Sequence, residues 1–210
     1  MKHSINIPYG NSEKCLEVDN KNLLFSVEPP IPPRPSLREE QDDVRRAISN
    51  PIGTPVLDEL IQPQRNNPLP PLVRGINGEV AILVDDFTRP TPAYKVMPVV
   101  LETLAKVGIA DEKIKIIIAR GTHRRLSRAD MEQKVGKEVV KRFEVKNHEN
   151  DINLLPLGKS KKGTPVWINQ TVVEADVRIA IGSVCAHPVA GYGGGAKIIV
   201  PGVAGVETIH

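Results

Sequence analysis

Three short stretches of this chain hold residue types able to grip an anion, move a proton or form a covalent bond: DFTRP at 86–90, GTHR at 121–124 and HPVAGYGGGAK at 187–197. Arg89 offers a planar guanidinium matched to a carboxylate or phosphate, and Asp86 either orients it or binds a cation. An aspartate N-cap beside a surface arginine is the plainer reading of the same residues. His123 carries a ring with an ordinary pKa of about 6.5, so it is either an acid–base group or a capping residue in a basic loop. Arg124, Arg125 and Arg128 beside it read as a solvated positive face. The third stretch is the richest. Its glycines let backbone N–H groups approach an anion, His187 opens it, and Lys197 closes it with a charge or a nucleophile. Gly193, Gly194 and Gly195 in a row are costly to order unless something fills the loop. The spacing fits neither GxxxxGK[ST] nor a GxGxxG turn after a first strand, so the residues alone stop at an anion or cofactor loop. His3, His148 and His210 offer less, and no Cys or His spacing makes a closed zinc site.

These loops need a scaffold, and the apolar pattern supplies one. Strands are expected at 80–84, 114–119, 143–145, 164–168 and 177–184, with helices at 91–107 and 127–141, the second opened by a capping box of Ser127 and Asp130. A further apolar run spans 197–200. Alternating strands and helices predict an α/β fold with a Rossmann-like, mainly parallel sheet flanked by helices. Ligands of such sheets bind beyond the carboxyl ends of the strands, which puts all three stretches on one edge. Thr88 and the prolines at 90 and 92 form the turn into the first helix. Residues 1–76 read as a proline-rich arm, punctuated by PPIPPRP at 29–35 and PLPP at 68–71, with short helices at 37–49 and 56–61. Residues 77–210 are the expected cofactor-binding core. The last residues, 206–210, read as the first turn of a helix without a stop signal, as in a chain cut inside an element.

Composition narrows the function classes. The chain has 210 residues, 40% hydrophobic and 25% charged, ordinary for a globular protein. At 3% aromatic residues there are too few rings for base-stacking platforms, and a net charge of +3 is no concentrated nucleic-acid footprint. No apolar run approaches the roughly 18 residues a membrane span needs. The amino terminus lacks a signal-like apolar stretch, and the two cysteines, Cys15 and Cys185, lie far apart, so a cytoplasmic location with reduced thiols is expected.

Taken in order, DFTRP, GTHR and the HPVAGYGGGAK run, followed by Pro201 and Gly202, strongly resemble the amino-terminal domain of the nickel-pincer-dependent lactate racemase family. The resemblance runs over most of the chain. It implies a 2-hydroxyacid racemase or epimerase that uses a pyridinium-3-thioamide-5-thiocarboxylic acid mononucleotide nickel complex. It also implies that Lys197 holds this cofactor covalently, with Asp86, Thr88, Gly193, Gly194 and Gly195 around it. His123 and His187 become the two acid–base groups, and Arg89 a substrate or transition-state contact. A small 2-hydroxyacid and the cofactor-synthesis enzymes become the partners, and a hydride transfer the mechanism. Pro188 and Val189 stand where the lactate racemase has bulkier aromatic residues, and Ala196 where it has a basic one, so the substrate is expected to differ from lactate. The family's nickel-ligating histidine is expected beyond residue 210, with His210 falling short of it, so the chain alone is expected to be inactive. The competing reading is a phosphate- or nucleotide-binding module without its own catalysis. A third is a family member turned to another hydroxyacid reaction, such as a dehydrogenase-like step.

Overall fold

Residues 1–9, 12–27, 35–61 and 78–210 are described by the computed structural model, which forms two compact units, Met1–Pro35 and Ser36–His210. In the first unit, β1 (Lys2–Tyr9) and β2 (Ser12–Asp19) make an antiparallel hairpin that pairs Ile5 with Leu16 and His3 with Val18. No strand was expected here. The alternation is present but diluted by charged residues on both strands. The proline runs at 29–34 and 68–71 lie outside the described residues.

The second unit begins with α1 (Leu37–Ser49), whose Ser36 and Glu39 form a reciprocal capping box. α2 (Leu57–Ile61) follows. These helices, expected in an arm over 1–76, group with the core unit. Ile48 and Leu57 pack against the main apolar cluster, and Arg45 and Glu40 pair with Glu102 and Lys95.

The core elements follow in order: β3 (Val80–Asp85), α3 (Ala93–Lys106), β4 (Ile114–Ala119), α4 (Arg128–Val135), α5 (Lys137–Arg142) and β5 (Glu144–Asn147). Next come β6 (Leu154–Lys159), β7 (Pro165–Asn169), α6 (Gln170–Glu174), β8 (Val177–Ile181), β9 (Ala186–His187), β10 (Gly191–Tyr192) and α7 (Val206–Ile209). Four strands form one fully parallel sheet in the order β5-β4-β3-β8. Its two faces are read from alternate residues. Val80, Ile82 and Val84 with Ile114, Ile116 and Ile118 point into a cluster completed by Met97 and Leu104 of α3. Leu83, Ile117 and Ala119 meet Ile168, Val172, Ile198 and Val203 on the opposite face. Each such side chain, fully buried, contributes about 1.5–3 kcal/mol, so the central strands are the most firmly held part of the fold.

Three expectations are corrected, and the last apolar run gains a structure. The single helix over 127–141 is two, because Gly136 at φ 105° breaks the chain direction between α4 and α5. The strand expected at 177–184 stops at Ile181, where Ser183 turns its N–H toward Asp85 Oδ2. The apolar run at 197–200 begins within a short 3-10 turn, Gly195–Ile198, that buries Ile198 against the sheet. Residues 154–159, where no strand was expected, form β6, which pairs antiparallel with β7.

Candidate active site

Parallel pairing puts the ends of β3, β4 and β8 side by side, with Asp85 opposite Ala119 and Val84 opposite Ile181. The chain steps outward from β3 to β4 and β5, then crosses to β8 on the other side of β3. The gap above β3 and β8 is therefore a topological switch point, where open parallel sheets bind their ligands. A cleft of about 510 Å³ opens there, and Thr88, Arg89, His123, His187 and Lys197 all line it.

Asp86 is the hub of the first two loops. It is 4% exposed, and its Oδ2 lies 2.6 Å from His123 Nδ1. Its Oδ1 accepts from the Thr88 hydroxyl at 2.6 Å and the Thr88 N–H at 3.0 Å. Asp86 was expected to orient Arg89 or bind a cation; its oxygens engage His123 and Thr88. Arg89 instead donates through Nη1 to the Thr88 carbonyl at 2.9 Å and hydroxyl at 3.2 Å. Among the described residues no carboxylate pairs with Arg89 or with Lys197. Burial first, and then the Arg89 charge, hold the Lys197 amine below its ordinary range, which raises the share of free amine able to attack.

His187 is held differently. Its Nδ1 accepts backbone N–H groups from Val189 at 3.2 Å and Ala190 at 3.0 Å within the turn between β9 and β10. Desolvation, followed by the charges of Lys197, Arg89 and His123, pushes its pKa down. The three glycines divide the remaining work. Gly193 is packed beneath the loop, where an added Cβ would sit 3.2 Å from Arg89 Nε and 3.3 Å from Cys185 Sγ. Gly194, at φ 81°, lies so close to the strand end that a Cβ would come within 2.7 Å of the Ser183 carbonyl. Gly195, at φ 53°, faces open space in the cleft.

Two residues that sequence reasoning did not single out set this geometry. Lys134 of α4, with a side chain 3% exposed, places Nζ 2.7 Å from Asp85 Oδ1 and donates to the carbonyls of Asp86 at 3.0 Å and Arg89 at 3.1 Å. It clamps the loop that carries Asp86, Thr88 and Arg89. The available signal was its place one turn after Met131 on the apolar side of the helix. Arg120 holds the other loop: Nε donates to the His148 carbonyl at 2.7 Å, Nη2 pairs with Glu149 at 3.1 Å, and Nη1 donates to the His123 carbonyl. His148 is fully buried, its Nε2 donating to the Ala204 carbonyl and its Nδ1 accepting from the Asn169 amide, so it is part of the scaffold. Arg124, Arg125 and Arg128 are paired at the surface with Asp130, Glu149 and Glu132. His3 lies in the first unit and His210 at the exposed end of α7.

Comparison with known proteins places the whole chain in a family. The family model described as lactate racemase N-terminal domain matches residues 9–210. The lactate racemase of Thermoanaerobacterium thermosaccharolyticum is 31% identical over 98% of this chain and 46% of its own length. That of Lactiplantibacillus plantarum is 28% identical over the same shares. The chain thus spans about half the length of these relatives. The solved structure of the T. thermosaccharolyticum lactate racemase apoprotein superposes with a TM-score of 0.79 at 30% identity, covering 99% of this chain and 45% of that one. A Thermotoga maritima protein of known structure shares the fold at a TM-score of 0.59 and 20% identity, over 83% of this chain and 40% of its own. With Arg89, His123, His187 and Lys197 around one cleft and a family match over nearly the whole chain, this protein belongs to the lactate racemase family and carries its amino-terminal domain.

Proposed function

We propose that this chain is the cofactor-bearing half of a 2-hydroxyacid racemase or epimerase, working on a small substrate by hydride transfer. One observation carries the reading: two histidines and two cations that have no carboxylate partner among the described residues line a single cleft at the switch point of the sheet. The nickel-pincer nucleotide fits these residues. Lys197 offers an amine with a lowered pKa for covalent attachment, Arg89 and Lys197 suit an anionic group, and Gly195 leaves open space beside them. Lys197, Gly193, Gly194 and Gly195 would hold the group, with Asp86 and Thr88 bordering it from the β3 loop. Bound there, it would supply acceptance and return of a hydride at the substrate carbon.

The protein's own share is binding and proton transfer. Arg89 would take the substrate carboxylate in a two-pronged hydrogen bond. His123, oriented by Asp86, would receive the hydroxyl proton, and the carboxylate would stabilise the imidazolium that results. His187 would serve the opposite face, so that inversion draws on two rings from different strand ends. The cofactor-synthesis enzymes would be the protein partners and the cytoplasm the compartment. No helix among the described residues is long and apolar enough to cross a membrane.

Coexpression with the cofactor-synthesis enzymes followed by peptide mass analysis tests the anchor. Added mass on the Lys197 peptide, absent after Lys197→Ala, is the expected result. Reversible nucleotide binding unaffected by Lys197→Ala would favour a phosphate- or nucleotide-binding module instead.

A further inference from the structure

His123 and His187 line one cleft, yet their rings are held in opposite ways. Asp86 Oδ2 stands 2.6 Å from His123 Nδ1, and a carboxylate only accepts. That nitrogen therefore carries a hydrogen, and in the neutral ring Nε2 keeps the lone pair. His187 Nδ1 faces the reverse situation. The N–H groups of Val189 at 3.2 Å and Ala190 at 3.0 Å both point at it, and a backbone N–H only donates. Nδ1 must be bare, so the neutral ring carries its hydrogen on Nε2. An imidazolium would set a third N–H against these two.

We infer that the 187–190 turn is a tautomer lock: it holds His187 as a neutral Nε2–H hydrogen-bond donor and leaves Nε2 of His123, whose Nδ1 is turned to Asp86, as the nitrogen through which the site exchanges a proton. The lock is local in origin. Gly191, at φ 74°, reverses the chain so that β9 and β10 pair His187 with Gly191 and Ala186 with Tyr192, which folds the amides of residues 189 and 190 back over the ring. The charged and titratable groups acting on His187 are Lys197, Arg89 and His123, and with burial they oppose its protonation in the same sense.

This inference rests on the racemase reading for its consequence and refines it. In the locked state His187 polarises a substrate oxygen by donating a hydrogen bond, without losing its proton. Proton exchange through His187 requires the turn to open and free Nδ1. The two faces of the substrate are then served unequally, with His123 ready to take a proton and His187 gated. Asp86 and the amides of Val189 and Ala190 act as positioning groups.

The test needs neither cofactor nor turnover. The 210-residue chain, labelled with 15N at histidine, is observed by NMR near neutral pH, with His123→Gln and His187→Gln to assign the two rings. The expected spectrum shows His187 bare at Nδ1 and protonated at Nε2, His123 carrying a hydrogen at Nδ1, and His187 titrating below the ordinary imidazole range. Ala190→Pro, which deletes one donor, should shift His187 toward mixed tautomers and raise its midpoint, while Val189→Ala, which keeps both donors, should leave it unchanged. A hydrogen on Nδ1 of His187, or a midpoint at or above the ordinary value, overturns the lock, and the wild-type spectrum alone decides this if Ala190→Pro does not fold. Failure of the racemase reading would show separately, as absence of configurational change in the cofactor-loaded enzyme with the spectrum as expected.

Discussion

Which nitrogen of a histidine carries the hydrogen is decided by its neighbour, so the chemistry of His123 is written as much in Asp86 as in the ring. Asp86→Asn replaces an acceptor that only accepts with an amide that can also donate. We expect kcat of the loaded enzyme to fall about 10²–10⁴-fold with little change in KM, the span typical of a displaced acid–base group. Equal kinetics in wild type and variant would remove Asp86 from this role. Arg89, His123, His187 and Lys197 were legible in the sequence because their types are chemically loud and each sits in a short glycine- or proline-marked stretch. The partnerships were not. Asp86 was matched with Arg89, three residues away, whereas its partner His123 lies 37 residues on, brought there by the register of β3 and β4. Lys134 was silent for a related reason: a lysine in a helix reads as surface until the loop it clamps is in place.

At the scale of elements, α4 secures the β3 loop through that one buried cation. Lys134→Met leaves the Asp85 carboxylate without its ion partner and frees the carbonyls of Asp86 and Arg89. Unfolding in urea should show a loss of about 3–5 kcal/mol, as for breaking other buried pairs. A loss within the error of the measurement would mean that the clamp is not needed. The glycines of the β8 loop offer a paired test. Gly195→Ala meets no atom and carries only the left-handed backbone penalty, about 1–2 kcal/mol. Gly194→Ala adds a Cβ 2.7 Å from the Ser183 carbonyl and should destabilise the chain more, by denaturant midpoint, than its neighbour does. Strongly apolar elements such as β3 and β4 were readable within a residue or so, because burial on both faces leaves one solution for an isoleucine- and valine-rich run. β6 was not, since Lys159, Gly158 and Pro156 mask a strand that exists only by pairing with β7. The break at Gly136 competed with an otherwise continuous helical pattern.

On the scale of the whole molecule, the carboxyl-terminal turn is tied to the sheet by a buried histidine. Burial holds His148 below the ordinary imidazole range while its ring bridges the Ala204 carbonyl and the Asn169 amide. The unfolded chain therefore binds the proton more readily. This contribution to stability is present above the unfolded value of about 6.5 and is lost as pH falls through the lower folded value. His187 titrates with the same sign. Thermal melts should show Tm declining from about pH 7.5 to about pH 5, and His148→Gln should flatten that decline. An unchanged slope would shift the effect to other groups.

We propose that this cleft inverts a 2-hydroxyacid by moving a hydride rather than a proton from carbon. It is tested most directly by incubating the cofactor-loaded protein, in the longest form in which the cell makes it, with single enantiomers of 2-hydroxyacids and sugar acids in heavy water. We predict inversion of at least one substrate with the original hydrogen retained at the inverted carbon. Deuterium from solvent at that carbon, or no configurational change in any substrate, would contradict it.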